Sequence, residues 1–181
     1  VSSATQDPDP EFMRTLLDAL GTSGTFIHYS PYERTQLVDI AVRHPRCAQE
    51  LVDRIPGFCA KLEEKAARLG VRIDLVADET GLLDFDLGAR VIKDGCFHPE
   101  MHGGWSIKGA IKVLAPDLPP YESLAVSDGG AAMIATAEML ASDTSQERAT
   151  ELHEALLTYC EQDTMAMVEI FRTLQRLREE R

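Results

Sequence analysis

Positively charged residues are scarce in this chain. Lysine and arginine together number 18, against 30 aspartates and glutamates, which gives a formal net charge of −12. This balance argues against a protein that coats nucleic acid through bulk electrostatic attraction, but it leaves room for an enzyme that takes one strand end into a local site. Sites rich in carboxylates add negative charge that bound cations then neutralise.

Long apolar runs and nucleotide-binding fingerprints are also missing. No stretch approaches the roughly 20 apolar residues that a membrane-spanning helix needs, so we expect no membrane partner. The Ser-, Asp- and Pro-rich start does not have the character of a signal peptide. There is no glycine-rich phosphate-binding loop and no Gly-x-Ser-x-Gly motif. The length of 181 residues favours one domain over residues 1–181 with a buried core.

Cysteine is sparse and lacks the C-x-x-C spacing of common redox motifs. The chain has Cys47, Cys59, Cys96 and Cys160. An even count is compatible with two disulfides, but the predicted helical position of Cys160 favours reduced thiols in a cytoplasmic protein. Cys96, His98 and His102 have a C-x-H-x₃-H spacing, which leaves a small zinc-binding domain as an alternative. A loop with locally hydrogen-bonded histidines is the favoured interpretation.

One acidic residue stands out on the last predicted helix. Asp163 falls on an otherwise apolar or aromatic stripe, with steps of three and four, through Leu152, Leu156, Tyr159, Met167, Ile170, Leu174 and Leu177. A buried carboxylate is usually paired, hydrogen-bonded or bound to a metal. Tyr159 lies one helical turn before Asp163 on the same face. A core tyrosine and a capping or edge aspartate are the structural alternative.

Helices dominate the predicted secondary structure. A β-prone segment, residues 24–29, is followed by helices over 30–43 and 47–69, the latter interrupted at Pro56-Gly57. An irregular strand over 71–76 and a helix over 84–93 are expected next. Further helices are predicted over 106–114, 128–140 and 145–178. A single β-prone segment cannot form a sheet, so we expect either an all-α fold or a sheet whose other strands lie upstream of Val1.

Three segments together resemble a known class of nucleases. They are the junction Phe26 to Glu33, the segment Asp86 to Arg90, and Tyr159 to Asp163. Their order and spacing resemble the ribonuclease H-like 3′–5′ exonucleases called DEDD after their four metal-binding carboxylates. His98-Pro99, the segment Gly104 to Lys108 and Tyr159 to Thr164 look more closely like an uncharacterised bacterial domain family. That family is predicted to carry this fold, often beside a RecB-like nuclease region.

The resemblance implies a two-metal site for phosphodiester hydrolysis at a single-stranded nucleic-acid end. Mg²⁺ or Mn²⁺ would suit its oxygen ligands. Asp163 matches the last carboxylate of the set, and Tyr159 matches the tyrosine that orients the attacking water. Glu33 and Asp86 match further metal ligands, although a first-turn acid and a helix cap are the structural alternatives for them.

A basic and aromatic pair predicts the substrate contact. Trp105 and Lys108 could stack on a base and bind a phosphate. The structural alternative is that Trp105 anchors the loop to the core while the lysine is solvated.

The first motif of the resembled class, an Asp-x-Glu on an apolar strand, has only one early match. That match, Asp9-Pro10-Glu11, follows no apolar strand and contains a proline, so we interpret it as a decoy. We therefore expect an α/β, ribonuclease H-like fold that is truncated at its N-terminus and helix-dominated. Its metal site would be incomplete, and the chain alone should not cleave nucleic acid. A catalytically inactive nuclease-like module for nucleic-acid binding or assembly is the alternative function.

Overall fold

A computed structural model describes residues 7–78 and 80–180 of the chain. It divides into two compact units, residues 1–91 and 92–181. Helices dominate both units, and a two-stranded parallel sheet lies in the first. The expectation of a helix-dominated α/β chain is therefore confirmed. Within the described ranges, no helix has both the length and the apolar character needed to cross a membrane.

The first unit places a helical crossover between its two strands. Its elements are α1 (Asp9–Ala19), β1 (Gly24–His28), α2 (Pro31–Arg43), α3 (Pro45–Arg54), α4 (Cys59–Leu69) and β2 (Leu82–Asp86). Ser30 caps α2 in a capping box with Glu33, and proline occupies an early position of α1, α2 and α3. The predicted helices 30–43 and 47–69 and the strand at 24–29 are thus confirmed to within about two residues.

The second strand corrects three predictions. Residues 82–86 form β2 rather than the start of a helix at Asp84, and residues 71–76 form no strand. β2 pairs with β1 in parallel, from Gly24 opposite Leu82 to His28 opposite Asp86, so a second strand of the sheet lies within the chain itself. Strand prediction fails at Leu-Leu-Asp-Phe-Asp because its aspartates are typical of exposed loops and helix starts. In the structure, Asp84 is instead paired with His28 and Arg34. Tertiary pairing here overrides the low strand propensity of aspartate.

Gly88 allows the segment after β2 to approach the backbone after β1 closely. Its backbone N–H donates to the carbonyl oxygen of Tyr29 over 3.0 Å. A Cβ atom at position 88 would lie 2.1 Å from that oxygen, so no other residue fits without movement of the backbone. A π-helical turn, Gly88–Ile92, follows and continues into the short α5 (Lys93–Gly95).

The first unit has a continuous apolar core beneath these elements. Its fully buried side chains include Met13, Ala41, Leu51, Phe58 and Leu62. They come from α1, α2, α3, α4 and the turn between α3 and α4, so the helical crossover supplies most of the core. This packing fixes the sheet and the residues that follow its strands.

The second unit is entirely helical apart from its loops. It contains α6 (Ile107–Leu114), α7 (Gly129–Leu140) and α8 (Gln146–Glu179), which confirms the helices expected over 106–114, 128–140 and 145–178. Ser106, Asp128 and Ser145 accept hydrogen bonds from backbone N–H groups and cap the three helices. A small apolar cluster of Val126, Ala135 and Leu152 joins α7 to α8.

Candidate functional site

Asp163 is half-buried at the edge of the buried face of α8 and is hydrogen-bonded. The hydroxyl Oη of Tyr121 donates to Asp163 Oδ1 over 2.5 Å, and Tyr121 is only 1% exposed. The expectation that this carboxylate has a partner is thus confirmed. The buried face of the helix also includes Gln162, Ala166 and Ile170, whereas Leu177 at the end of the predicted stripe is 48% exposed.

Tyr159 belongs to the same group of side chains. Its ring meets the ring of Tyr121 edge-on, with centroids 6.1 Å apart. Burial, the negative charge of Asp163 and a hydrogen bond to Asp163 raise the pKa of Tyr159 to about 12, with a smaller contribution from Asp128. The hydroxyl of Tyr159 therefore keeps its proton at neutral pH and can act as a hydrogen-bond donor.

Lys108 and Asp128 complete a group that we call the phenol–carboxylate cluster: Lys108, Tyr121, Asp128, Tyr159 and Asp163. The ammonium of Lys108 lies 5.2 Å from the ring centroid of Tyr121 and donates to the carbonyl oxygen of Ser127 over 2.7 Å. The N–H groups of Ala131 and Gly130 and the charge of Lys108 lower the pKa of Asp128. The cluster therefore combines carboxylates, phenol donors and one cation.

Sequence reasoning missed two members of the cluster. Tyr121 follows a Pro-Pro pair and precedes no periodic apolar segment, so its sequence context gives no sign of its role. Asp128 entered the sequence analysis only as the first residue of a predicted helix, and the structure shows that it caps α7 by accepting from the N–H of Ala131. What brings these residues to Asp163 is the packing of α6 and α7 against α8, which local patterns do not encode.

A cleft borders the cluster on the side of α6. Lys108, Lys112, Tyr121, Glu100 and Glu122 contribute to its lining, and its volume is about 270 Å³. This volume is slightly below the range of about 300–1,000 Å³ that is typical of pockets for small ligands. The cleft is better suited to part of an extended ligand than to an enclosed small molecule.

Trp105 lies in the loop that precedes α6, next to the helix-capping residue Ser106. It is 36% exposed, and the ammonium of Lys93 lies 5.8 Å from its ring centroid. The indole is thus partly packed and partly accessible. The ammonium of Lys108 is engaged with Ser127, as described above, so both predicted substrate contacts already have intramolecular partners.

Glu33 and Asp86 lie in the first unit, where each carboxylate acts as a helix cap. The carboxylate of Glu33 accepts from the backbone N–H groups of Tyr29 and Ser30, each over 3.3 Å, and from the Ser30 hydroxyl over 2.8 Å. Asp86 Oδ1 accepts from the N–H of Ala89 over 2.7 Å. Asp86 is the last residue of β2 and Glu33 lies in the first turn of the helix after β1, so both are at the carboxyl end of the parallel strands, the edge at which α/β sheets bind ligands.

The first unit also contains a group of metal-ligating atoms that sequence reasoning did not identify. Among residues 7–78 and 80–180, one group has three metal-ligating side-chain atoms that all lie within 4.8 Å of one another. It consists of Asp7, Asp9 and His44. Arg43 Nη2 lies 2.5 Å from Asp9 Oδ2, so one carboxylate of this group is already paired with a cation, and His44 Nε2 lies 3.1 Å from Asp7 Oδ2. Asp9-Pro10-Glu11 opens α1 rather than lying on a strand, which agrees with its interpretation as a decoy.

Cys96, His98 and His102 do not form such a group in the described part of the chain. His98 Nδ1 instead accepts from the backbone N–H of Glu100 over 3.3 Å, as expected for a structured loop. Cys47, Cys59, Cys96 and Cys160 form no disulfide with one another in the structure. The zinc alternative therefore has no support from the geometry.

Comparison of the chain with protein-family models, with curated proteins and with solved structures yields no match. The resemblance to DEDD exonucleases therefore stays a prediction, and a functional assignment depends on the chemistry of the residues themselves.

Proposed function

We propose that this chain belongs to a metal-dependent nuclease, a 3′–5′ exonuclease that hydrolyses phosphodiester bonds at a single-stranded nucleic-acid end. The observation that supports the proposal most strongly is the position of Tyr159 one turn before Asp163 on α8, where the carboxylate helps to raise the pKa of the phenol. A neutral phenol beside a partly exposed carboxylate is the combination that a water-orienting tyrosine and a metal ligand require.

The donor chemistry at Asp163 fits Mg²⁺ or Mn²⁺. These ions prefer oxygen ligands, and Mg²⁺ is commonly held by one or two carboxylates together with waters and substrate phosphates. A carboxylate has about four lone-pair positions, so Asp163 can accept from phenols and still ligate a cation. Bound divalent cations would supply Lewis-acid activation of a water and stabilisation of the leaving oxygen.

The protein side chains have separate roles in this proposal. Tyr159 would turn its single hydroxyl proton from Asp163 toward the attacking water, while Asp163 would hold the cation. Lys108 contributes positive charge next to the cleft, and the accessible part of the Trp105 ring offers a face for base stacking. Glu33 and Asp86 are proposed as further ligands from the resemblance, each in competition with its present capping contacts.

A second candidate function is a nuclease-like module that binds nucleic acid or assembles with a partner without catalysis. The observation in its favour is the engagement of Glu33 and Asp86 as caps, because a ligand that already satisfies several donors is less available to a cation. Both candidates predict strand binding at the phenol–carboxylate cluster, but only the nuclease predicts that this binding depends on a divalent cation.

The test measures the binding of labelled single-stranded DNA and RNA to the purified chain, with and without Mn²⁺. We expect Mn²⁺-dependent binding that is lost in Asp163→Asn and retained in Asp143→Asn, an exposed control of identical chemistry. Strand binding that is equal with and without Mn²⁺ would favour the non-catalytic module. Mn²⁺-dependent binding that survives in Asp163→Asn would remove Asp163 from the site.

A further inference from the structure

Tyr121 is buried deeply enough to have a fixed orientation. It is 1% exposed, and its hydroxyl donates to Asp163 Oδ1 over 2.5 Å. A buried phenol needs such a partner, and a hydrogen bond to an ionised oxygen is stronger than one between neutral groups. The contact therefore constrains the carboxylate as much as it satisfies the tyrosine.

The backbone that carries Tyr121 is also attached to α8. Gln162, the neighbour of Asp163, donates from Nε2 to the carbonyl oxygen of Pro119 over 2.7 Å. Adjacent positions of the helix thus hold the segment 119–121 through its backbone and through its tyrosine. The Tyr121 ring is further enclosed by Tyr159 and by the ammonium of Lys108.

We propose that Tyr121 is a positioning residue that holds one oxygen of Asp163 so that the remaining lone pairs are presented to a divalent cation. This inference rests on the proposed function. Partners that hydrogen-bond to metal ligands orient them, and their removal commonly weakens metal binding 10- to 100-fold. Tyr159 is partly accessible and is assigned to the water, whereas Tyr121 is buried and acts through its hydrogen bond to Asp163.

The experiment titrates Mn²⁺ into the purified chain and follows free Mn²⁺ by electron paramagnetic resonance. We expect Tyr121→Phe to raise the Kd for Mn²⁺ about tenfold or more. Tyr32→Phe, a control at an exposed tyrosine, should leave the Kd unchanged. Asp163→Asn should abolish the binding. Circular dichroism of each variant establishes that the fold is retained.

The outcomes separate the two proposals. Mn²⁺ binding that is absent in the wild type or unchanged in Asp163→Asn would overturn the proposed function. Loss of binding in Asp163→Asn with an unchanged Kd in Tyr121→Phe would overturn the role of Tyr121 alone, even if that variant unfolds at a lower temperature. The latter pattern is what a purely structural tyrosine predicts.

A second measurement covers the case in which Tyr121→Phe does not fold. Saturating Mg²⁺ should change the near-ultraviolet tyrosine absorbance of Tyr159→Phe, because the hydroxyl of Tyr121 shares its acceptor with the cation. The change should disappear when Asp163→Asn is added to that variant. An unaltered spectrum of Tyr159→Phe at saturating Mg²⁺ would overturn the inference.

Discussion

The pairing of His28 with Asp84 predicts a large loss of stability when the carboxylate is neutralised. His28 Nδ1 lies 2.7 Å from the carbonyl oxygen of Ser30, and Nε2 lies 3.0 Å from Asp84 Oδ1. Both partners are acceptors, so His28 must donate from both nitrogens and carry a positive charge. Asp84 Oδ2 also pairs with Arg34 Nη1 over 3.3 Å. The Asp84 carboxylate therefore neutralises two cations beside β1 and β2.

Asp84→Asn should destabilise the first unit by about 3 kcal/mol. The side chains of His28 and Asp84 are only 3% and 12% exposed, and breaking a buried ion pair from one side costs about 3–5 kcal/mol. We take the lower end because the Asn oxygen can still accept one hydrogen bond. For a unit of this size, that loss corresponds to a thermal midpoint lower by roughly 12 °C or more.

The pH dependence follows from the directions of the two pKa shifts. Burial works to lower the pKa of His28, but its hydrogen bonds to Asp84 and Ser30 outweigh burial and raise it above 6.5. Its stabilisation is therefore complete below pH 6.5 and is lost as pH rises through the folded pKa. Burial opposes a low pKa for Asp84, but His28 and Arg34 bring it below 3.8. Its stabilisation is present above pH 3.8 and is lost as pH falls through the folded pKa.

The assay is urea unfolding at pH 5.5 and pH 9, followed by circular dichroism. The free energy of unfolding that Asp84→Asn loses relative to the wild type should be larger at pH 5.5 than at pH 9. The control Asp74→Asn, at an exposed position, should have the wild-type stability at both pH values. Trp105 lies in the second unit, so its fluorescence reports that unit separately. A loss below about 1 kcal/mol in Asp84→Asn, or a loss equal at both pH values, would refute the charged pair.

Three other changes test particular contacts. Gly88→Ala should destabilise the first unit by about 3 kcal/mol or more in urea unfolding, because the added Cβ meets the Tyr29 carbonyl oxygen; a change near zero would contradict this contact. Tyr159→Phe should remove a phenol that ionises near pH 12 in a spectrophotometric titration, and an unchanged titration would show that Tyr159 is not buried beside Asp163. Glu33→Gln keeps the capping-box bond from the Ser30 N–H, loses the acceptor for the Tyr29 N–H, and should cost about 1 kcal/mol of stability, so lost Mn²⁺ affinity in a folded variant would indicate ligation. Retained affinity would limit Glu33 to its capping role.

The helices were predictable because their signals are local. Ser30-Pro31, Ser106, Asp128 and Ser145 mark helix starts through capping chemistry. The apolar periodicity of α8 places Asp163 next to the buried face, where it is half-buried beside the buried Gln162. The hydrogen bond of that carboxylate was likewise predictable, because burial of an unpaired charge is costly. The identity of its partner, Tyr121, was not predictable from local patterns.

The missed strand and the missed cluster have the same physical origin. β2 contains two aspartates, and its Asp84 is neutralised by His28 of the neighbouring strand and by Arg34 of α2. Tyr121 reaches Asp163 across 42 positions of the sequence. Both arrangements depend on long-range pairing of charged or polar groups, which periodicity and propensity do not encode.

The most direct test of the central claim is the location of Mn²⁺ in a crystal of this chain, by anomalous scattering. We predict a Mn²⁺ peak about 2.0–2.2 Å from a carboxylate oxygen of Asp163, with the hydroxyl of Tyr121 still bonded to that carboxylate. A peak at Asp7, Asp9 and His44 with none at Asp163 would contradict the account, because the cation would then occupy the first unit and leave the phenol–carboxylate cluster without its proposed chemistry.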